Sequence, residues 1–241
     1  CVVGYAYSRK KDIDLVVDMF RSMFRLIDRN GWGIPAQVEV ENHLMSQWKD
    51  GFLKAGEVFP FVHFCAPQNS QEKHAEQFNG AKKRSLEHEH QLGIGRFYAK
   101  NKKYRTEAKK VFDELNDTYE DKQYYTWDEL IAEDQEIIRL FNESLHPNQK
   151  KYPGMSRWQV LCETMNPNLE PYDKTFVAKY IGEHVETSIR RNSYCRVNYT
   201  DYWLSSPEVI ERLAPNNYKV DAYYIPEEDG SIKDLFIYQN G

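Results

Sequence analysis

Two glutamates, Glu41 and Glu76, lie 35 positions apart, each in a pattern that can aim a carboxylate. Glu41 ends an alternating run, Val38-Glu39-Val40-Glu41-Asn42-His43. Period two in a strand puts Val38 and Val40 on one face and Glu39 and Glu41 on the other. Glu76 falls in residues 67–78, which read as a turn leading into a helix, and spacings of three and seven set Lys73, Glu76 and Lys83 on one stripe. Carboxylate oxygens suit Mg²⁺, which keeps several waters and takes few protein ligands. Two such cations about 3.5–4 Å apart serve phosphoryl transfer, activating the attacking oxygen and stabilising the leaving one. Lys73 and Lys83, with Lys82 and Arg84 extending the basic run, are placed to meet substrate phosphates. The plain alternative at every one of these positions is a solvated surface charge. Glu39 shares a face with Glu41 and is a rival ligand, and His74 is a candidate phosphate donor. His88 and His90, two apart, do not share a helical face, so zinc is not expected there.

The elements that must position these groups follow from periodicity. Leu15, Val16, Met19, Phe20, Met23, Phe24 and Ile27 recur at helical spacing, with Asp12 or Asp14 as cap and Asn30-Gly31 as stop. Gly33-Ile34-Pro35 leads into the strand ending near Glu41, the segment from 43 to 55 has helical character, and Val58 to Phe64 reads as another strand. Strand and helix alternate, as in α/β sheets whose functional groups lie beyond the carboxyl ends of the strands. Thr126-Trp127-Asp128-Glu129 opens a helix with a capping box that continues to Asn142, and Ser156 to Thr164 is a short helix after a Pro, Gly and Lys connector. From 186 onward the signal changes to short strands at 188–199, 218–225 and 234–238, with a turn at Glu228-Asp229-Gly230.

Charge is sorted along the chain. The net charge of −5 excludes a uniformly basic nucleic-acid binder, yet residues 82–110 hold ten Lys or Arg against three Glu. Residues 113–143 reverse this, with two basic residues against eleven acidic ones. Within the basic part, Gly93 to Arg105 interleaves aromatic and cationic side chains, as a solvated loop or a phosphate-tracking arm would. The last 56 residues carry nine acidic and six basic side chains, a poor balance for autonomous DNA binding. Four dispersed cysteines form no CxxC pair and read as reduced thiols. No apolar run nears the roughly 20 residues a membrane span needs, and no signal peptide is evident.

Gly33-Ile34-Pro35, the strand ending in Glu41-Asn42, and Pro67, Asn69, Lys73, Glu76 and Phe78 together resemble the second half of the DDE transposase and retroviral-type integrase catalytic core. The KxxExxF form is closest to the phage Mu transposase branch. Val3-Gly4-Tyr5-Ala6 is similar to the third strand of that family's ribonuclease-H-like fold, and Phe141-Asn142, His146-Pro147 and Trp158 to the segment that follows the core.

The resemblance implies an α/β fold with a ribonuclease-H-like core, partial because it lacks its first strands, spanning 1–115. A helical linker at 116–185 and a small C-terminal β-barrel at 186–241 complete it. It implies Glu41 and Glu76 as catalytic and metal-binding acids for Mg²⁺ or Mn²⁺, and Lys73, Lys82, Lys83 and Arg84 as DNA contacts. The family's first Asp has no match here, so the chain reads as an N-terminally truncated fragment whose full-length form cuts DNA ends and joins them to a target. It is expected to act as a homo-oligomer on DNA, apart from membranes, in a prokaryotic cytoplasm close to the nucleoid. The alternatives are a catalytically inactive DNA-binding or protein-interaction remnant and a metal-dependent nuclease of the same fold.

Overall fold

Helix α1 spans Ile13–Asn30. Its cap is Asp12, whose carboxylate accepts from the Leu15 backbone N–H at 3.2 Å. Gly31 stops it at φ 63°, a left-handed conformation that costs glycine nothing. The structure is a computed structural model that describes residues 1–10, 12–41, 45–66, 86, 110–113, 115, 118–121 and 125–239. They form a mixed α/β chain in two compact units, residues 1–2 with 65–167 and residues 3–64 with 168–241.

The larger unit, made of 3–64 and 168–241, is built on the apolar stripe of α1. Phe20, Met23, Phe24 and Ile27 are buried, and against them pack Phe52, Leu53, Phe59, Val40, Val177 and Ile181. The rings of Phe20, Phe24, Phe52 and Phe59 meet edge-on or tilted, with centroids 4.9–6.3 Å apart. Burying each ring contributes about 1.5–3 kcal/mol. Strands β1 (Gln37–Glu41) and β2 (Phe61–Cys65) form a two-stranded sheet, with the Phe61 N–H bonded to the Ala36 carbonyl at 2.9 Å.

Between these strands the helical reading of 43–55 gives way, across 45–55, to a single 3₁₀ turn at Ser46–Trp48 followed by turns. Gly51 and Gly56 weaken helix here, and Phe52 and Leu53 are drawn into the aromatic core instead. Gly33 touches the backbone of 169–170 so closely that a Cβ would sit 2.6 Å from the Leu169 Cβ and 2.7 Å from the Glu170 carbonyl oxygen. The Ile34 N–H bonds that same carbonyl at 2.8 Å.

Helix α2 is Trp127–Glu143, α3 is Arg157–Glu163 and α4 is Lys174–Ile181. The sequence reading did not single out α4, which has only eight residues. Asp173 caps it, accepting from Thr175 N–H, Phe176 N–H and the Thr175 hydroxyl at 2.6–3.2 Å. Its last turn runs directly into a five-stranded antiparallel sheet ordered β7-β6-β5-β8-β9 and curled into a half-barrel. The strands are β5 (Glu183–Arg190), β6 (Tyr194–Val197), β7 (Thr200–Trp203), β8 (Lys219–Tyr224) and β9 (Phe236–Tyr238). A one-turn helix α5 (Glu208–Glu211) lies between β7 and β8. The single strand anticipated at 188–199 is divided by a turn in which Arg191 and Asn192 take φ of 51° and 52°. Cys195, Val197, Val220, Ala222 and Tyr224 fill the inner side of the curl.

In the other unit, β3 (Lys110–Asp113) and β4 (Thr118–Asp121) pair antiparallel. The capping box of α2 is present: the Thr126 N–H and hydroxyl donate to the Glu129 carboxylate at 2.8 Å each, and Thr126 Oγ1 accepts from the Glu129 N–H at 3.3 Å. Ser156 and Gln159 form a second box on α3. Arg157 lies over the Phe141 ring at 4.3 Å and donates to the Ser144 hydroxyl and, at 3.0 Å, to the Leu145 carbonyl. Burial pulls its guanidinium pKa below the usual value. No helix of the described residues is long and apolar enough to cross a membrane.

Candidate functional site

Glu41 is the last residue of β1 and is exposed; Glu39, two residues back, is half-buried, and Val40 between them is 4% exposed and packed into the aromatic core. Burial of alternate apolar residues fixes the register, because a one-residue slip would turn the glutamates inward. The strand is held from behind by α1 and from the side by β2. Glu41 is therefore an exposed residue at the end of a strand that the burial of Val40 anchors. Its designated companions, Glu76, Lys73, Lys82, Lys83 and Arg84, lie outside the described residues, as do Asn42, His43 and His74. Among the described residues no group of three or more His, Cys, Asp or Glu could hold a metal ion.

Two other charged constellations stand out in the same unit, and neither was singled out from sequence. The first surrounds Asp28. Lys174 Nζ lies 2.8 Å from Asp28 and 3.1 Å from Asp234, and Lys233 Nζ lies 3.5 Å from Asp28. The hydrogen bond to Asp28, ahead of that to Asp234, raises the Lys174 pKa. Beside them is a cavity of about 30 Å³ lined by Phe24, Arg25, Tyr172 and Phe236, among others, which is room for a single water. Tyr172 stacks on Phe24 with centroids 5.2 Å apart. Burial, then the charges of Asp28, Asp234 and Asp173, pushes its phenol pKa well up.

The second lies on β5, β6 and β7. Register pairs Arg190 with Tyr194 and Tyr194 with Trp203, and in the next same-face pair Arg196 faces Asp201. Arg196 holds Asp201 bidentately at 2.5 and 2.9 Å, and that hydrogen bonding keeps the carboxyl below its usual range. A polar groove of about 450 Å³, lined by Glu186, Ser188, Asn217, Lys219 and Asp221, lies on β5 and β8. The aromatic and basic letters of residues 190–203 were visible in the sequence. The hairpin register that aligns them across three strands was not.

No protein-family model, no curated protein and no solved structure matches the chain.

Proposed function

We propose that this chain carries part of the ribonuclease-H-like catalytic core of a DDE-type transposase or integrase, acting on DNA with Mg²⁺ or Mn²⁺. The observation that carries the reading is the exposed position of Glu41 at the end of β1, 35 positions ahead of Glu76 within the Lys73 to Phe78 pattern. A glutamate at an exposed strand end is a suitable donor type for a cation that keeps much of its hydration shell and takes one or two carboxylates. Glu41 and Glu76 would hold the metal. When bound, it supplies charge that activates the attacking oxygen and stabilises the leaving one. The burial of Val40 restrains the Glu41 backbone, and the lysines at 73, 82 and 83 with Arg84 bind and orient the substrate phosphates. In this reading the protein cuts DNA ends and joins them as a homo-oligomer.

A second reading, an inactive DNA-binding remnant, is favoured by Glu at position 41 where the family carries Asp. The extra methylene moves the carboxylate by about 1.5 Å, a misplacement of the size that costs on the order of 100-fold in rate. Manganese binding followed by electron paramagnetic resonance tests the first reading. The full-length protein should bind Mn²⁺, with affinity lowered at least tenfold by Glu41→Gln and by Glu76→Gln. Equal binding by all three proteins would remove both glutamates from the metal site.

A further inference from the structure

The β5–β6–β7 edge of the curled sheet carries a row that packing among the described residues does not explain. Directly paired residues of neighbouring strands share a face, so Arg190, Tyr194 and Trp203 form one line across three strands. Trp203 is 74% exposed on β7, an edge strand, and its ring lies 5.5 Å from that of Tyr194, tilted by 53°. Arg190 and Arg191 are exposed, and among the described residues neither is in a salt bridge. Arg196, two residues along the same face from Tyr194, is matched by Asp201. Three guanidinium groups thus surround one carboxylate, leaving a local excess of two positive charges beside two accessible aromatic rings. The groove over β5 and β8 sets Glu186 and Asp221, the latter 2.7 Å from His184, against Lys219, so the excess of positive charge lies on the β6–β7 side.

We propose that the row formed by Arg190, Tyr194 and Trp203, with Arg191, is a stacking site for unpaired bases of single-stranded DNA. The rings take base faces, which every base offers, while the two unmatched guanidinium groups take the flanking phosphates. The choice of DNA rests on the function proposed above. The row itself uses neither Glu41 nor Glu76 and needs no metal.

The test is fluorescence anisotropy in EDTA, using the whole chain and a labelled oligothymidylate against an abasic oligonucleotide of equal length. Wild type is expected to prefer the thymidylate by about tenfold or more, the scale of one stacked base. Trp203→Ala should abolish that preference while Trp203→Tyr keeps most of it. The double change Arg190→Ala, Arg191→Ala should weaken both ligands and flatten the salt dependence by roughly 1.4 in log–log slope, from two lost phosphate contacts to a single strand. Unchanged thermal melting of Trp203→Ala shows that the fold is intact. A Trp203→Ala protein that keeps the preference, or a wild type that binds both ligands equally, overturns the proposal. Because EDTA removes divalent cations, this binding is read apart from catalysis: base-dependent binding in EDTA, together with no DNA cutting by the full-length protein in a separate Mg²⁺ assay, would leave the row standing and sink only the catalytic reading.

Discussion

Phe24→Ala removes a ring that is 0% exposed, with Phe52 and Phe59 at 6.3 and 6.1 Å and Tyr172 stacked at 5.2 Å. Truncating a buried Phe to Ala costs about 3–5 kcal/mol. The stacked Tyr172 contact places this site in the upper half of that range, at ~4 kcal/mol. With a urea slope of about 2 kcal/mol/M, the midpoint falls by ~2 M. Such a loss is a large share of the ~5–15 kcal/mol that stabilises a typical domain. The consequence specific to this fold concerns place. Tyr172, Phe176, Val177, Ile181 and Ile225 pack into the same cluster, so the damage to α1 must reach α4 and the sheet far along the chain. Hydrogen exchange is the assay: amides of β5 and β8 should lose protection together with those of α1, and Phe24→Leu should cost under about 1.5 kcal/mol. Loss of protection in α1 alone, with β5 and β8 unchanged, would refute the shared core.

Gly33→Ala should destabilise the same unit by about 1–3 kcal/mol, because the new Cβ meets the backbone carbonyl of Glu170 at 2.7 Å, and backbone cannot swing aside as a flexible side chain does; an unchanged urea midpoint would contradict it. Tyr172 supplies a pH test. Its folded pKa is raised by burial, so the folded state keeps a proton that the unfolded chain releases. That contribution is complete below about pH 10 and is lost as pH rises from there toward the folded value. The urea midpoint of the wild type should therefore fall more steeply above pH 10 than that of Tyr172→Phe, and parallel curves would show that the phenol does not titrate with folding.

Local signals were legible where one short stretch contains both partners of an interaction. Asp12 and Gly31 bound α1, and Thr126 with Glu129 opens α2, because caps act over three or four residues. The stretch 45–55 misled because its apolar residues serve a distant core and not a helical face of their own. Helix α4 escaped notice for a related reason: in its eight residues Phe176, Val177, Ala178, Tyr180 and Ile181 give an almost continuous apolar run, which periodicity cannot assign to helix or strand. Its start was nonetheless written in Asp173-Lys174-Thr175. The union of 3–64 with 168–241 depends on contacts such as Ile34 with Glu170 and Lys174 with Asp28, which no window of sequence contains. Of the candidate site, the strand that displays Glu41 was readable from its alternation.

The most direct measurement of the proposed function is a DNA cutting and joining assay with the full-length protein, Mg²⁺ and duplexes carrying the element's ends. Glu76→Gln should abolish both 3′-end cutting and strand joining while leaving DNA binding in place, and Glu41→Gln should do the same. Full cutting and joining by either variant would contradict the assignment of these two carboxylates to the catalytic metal.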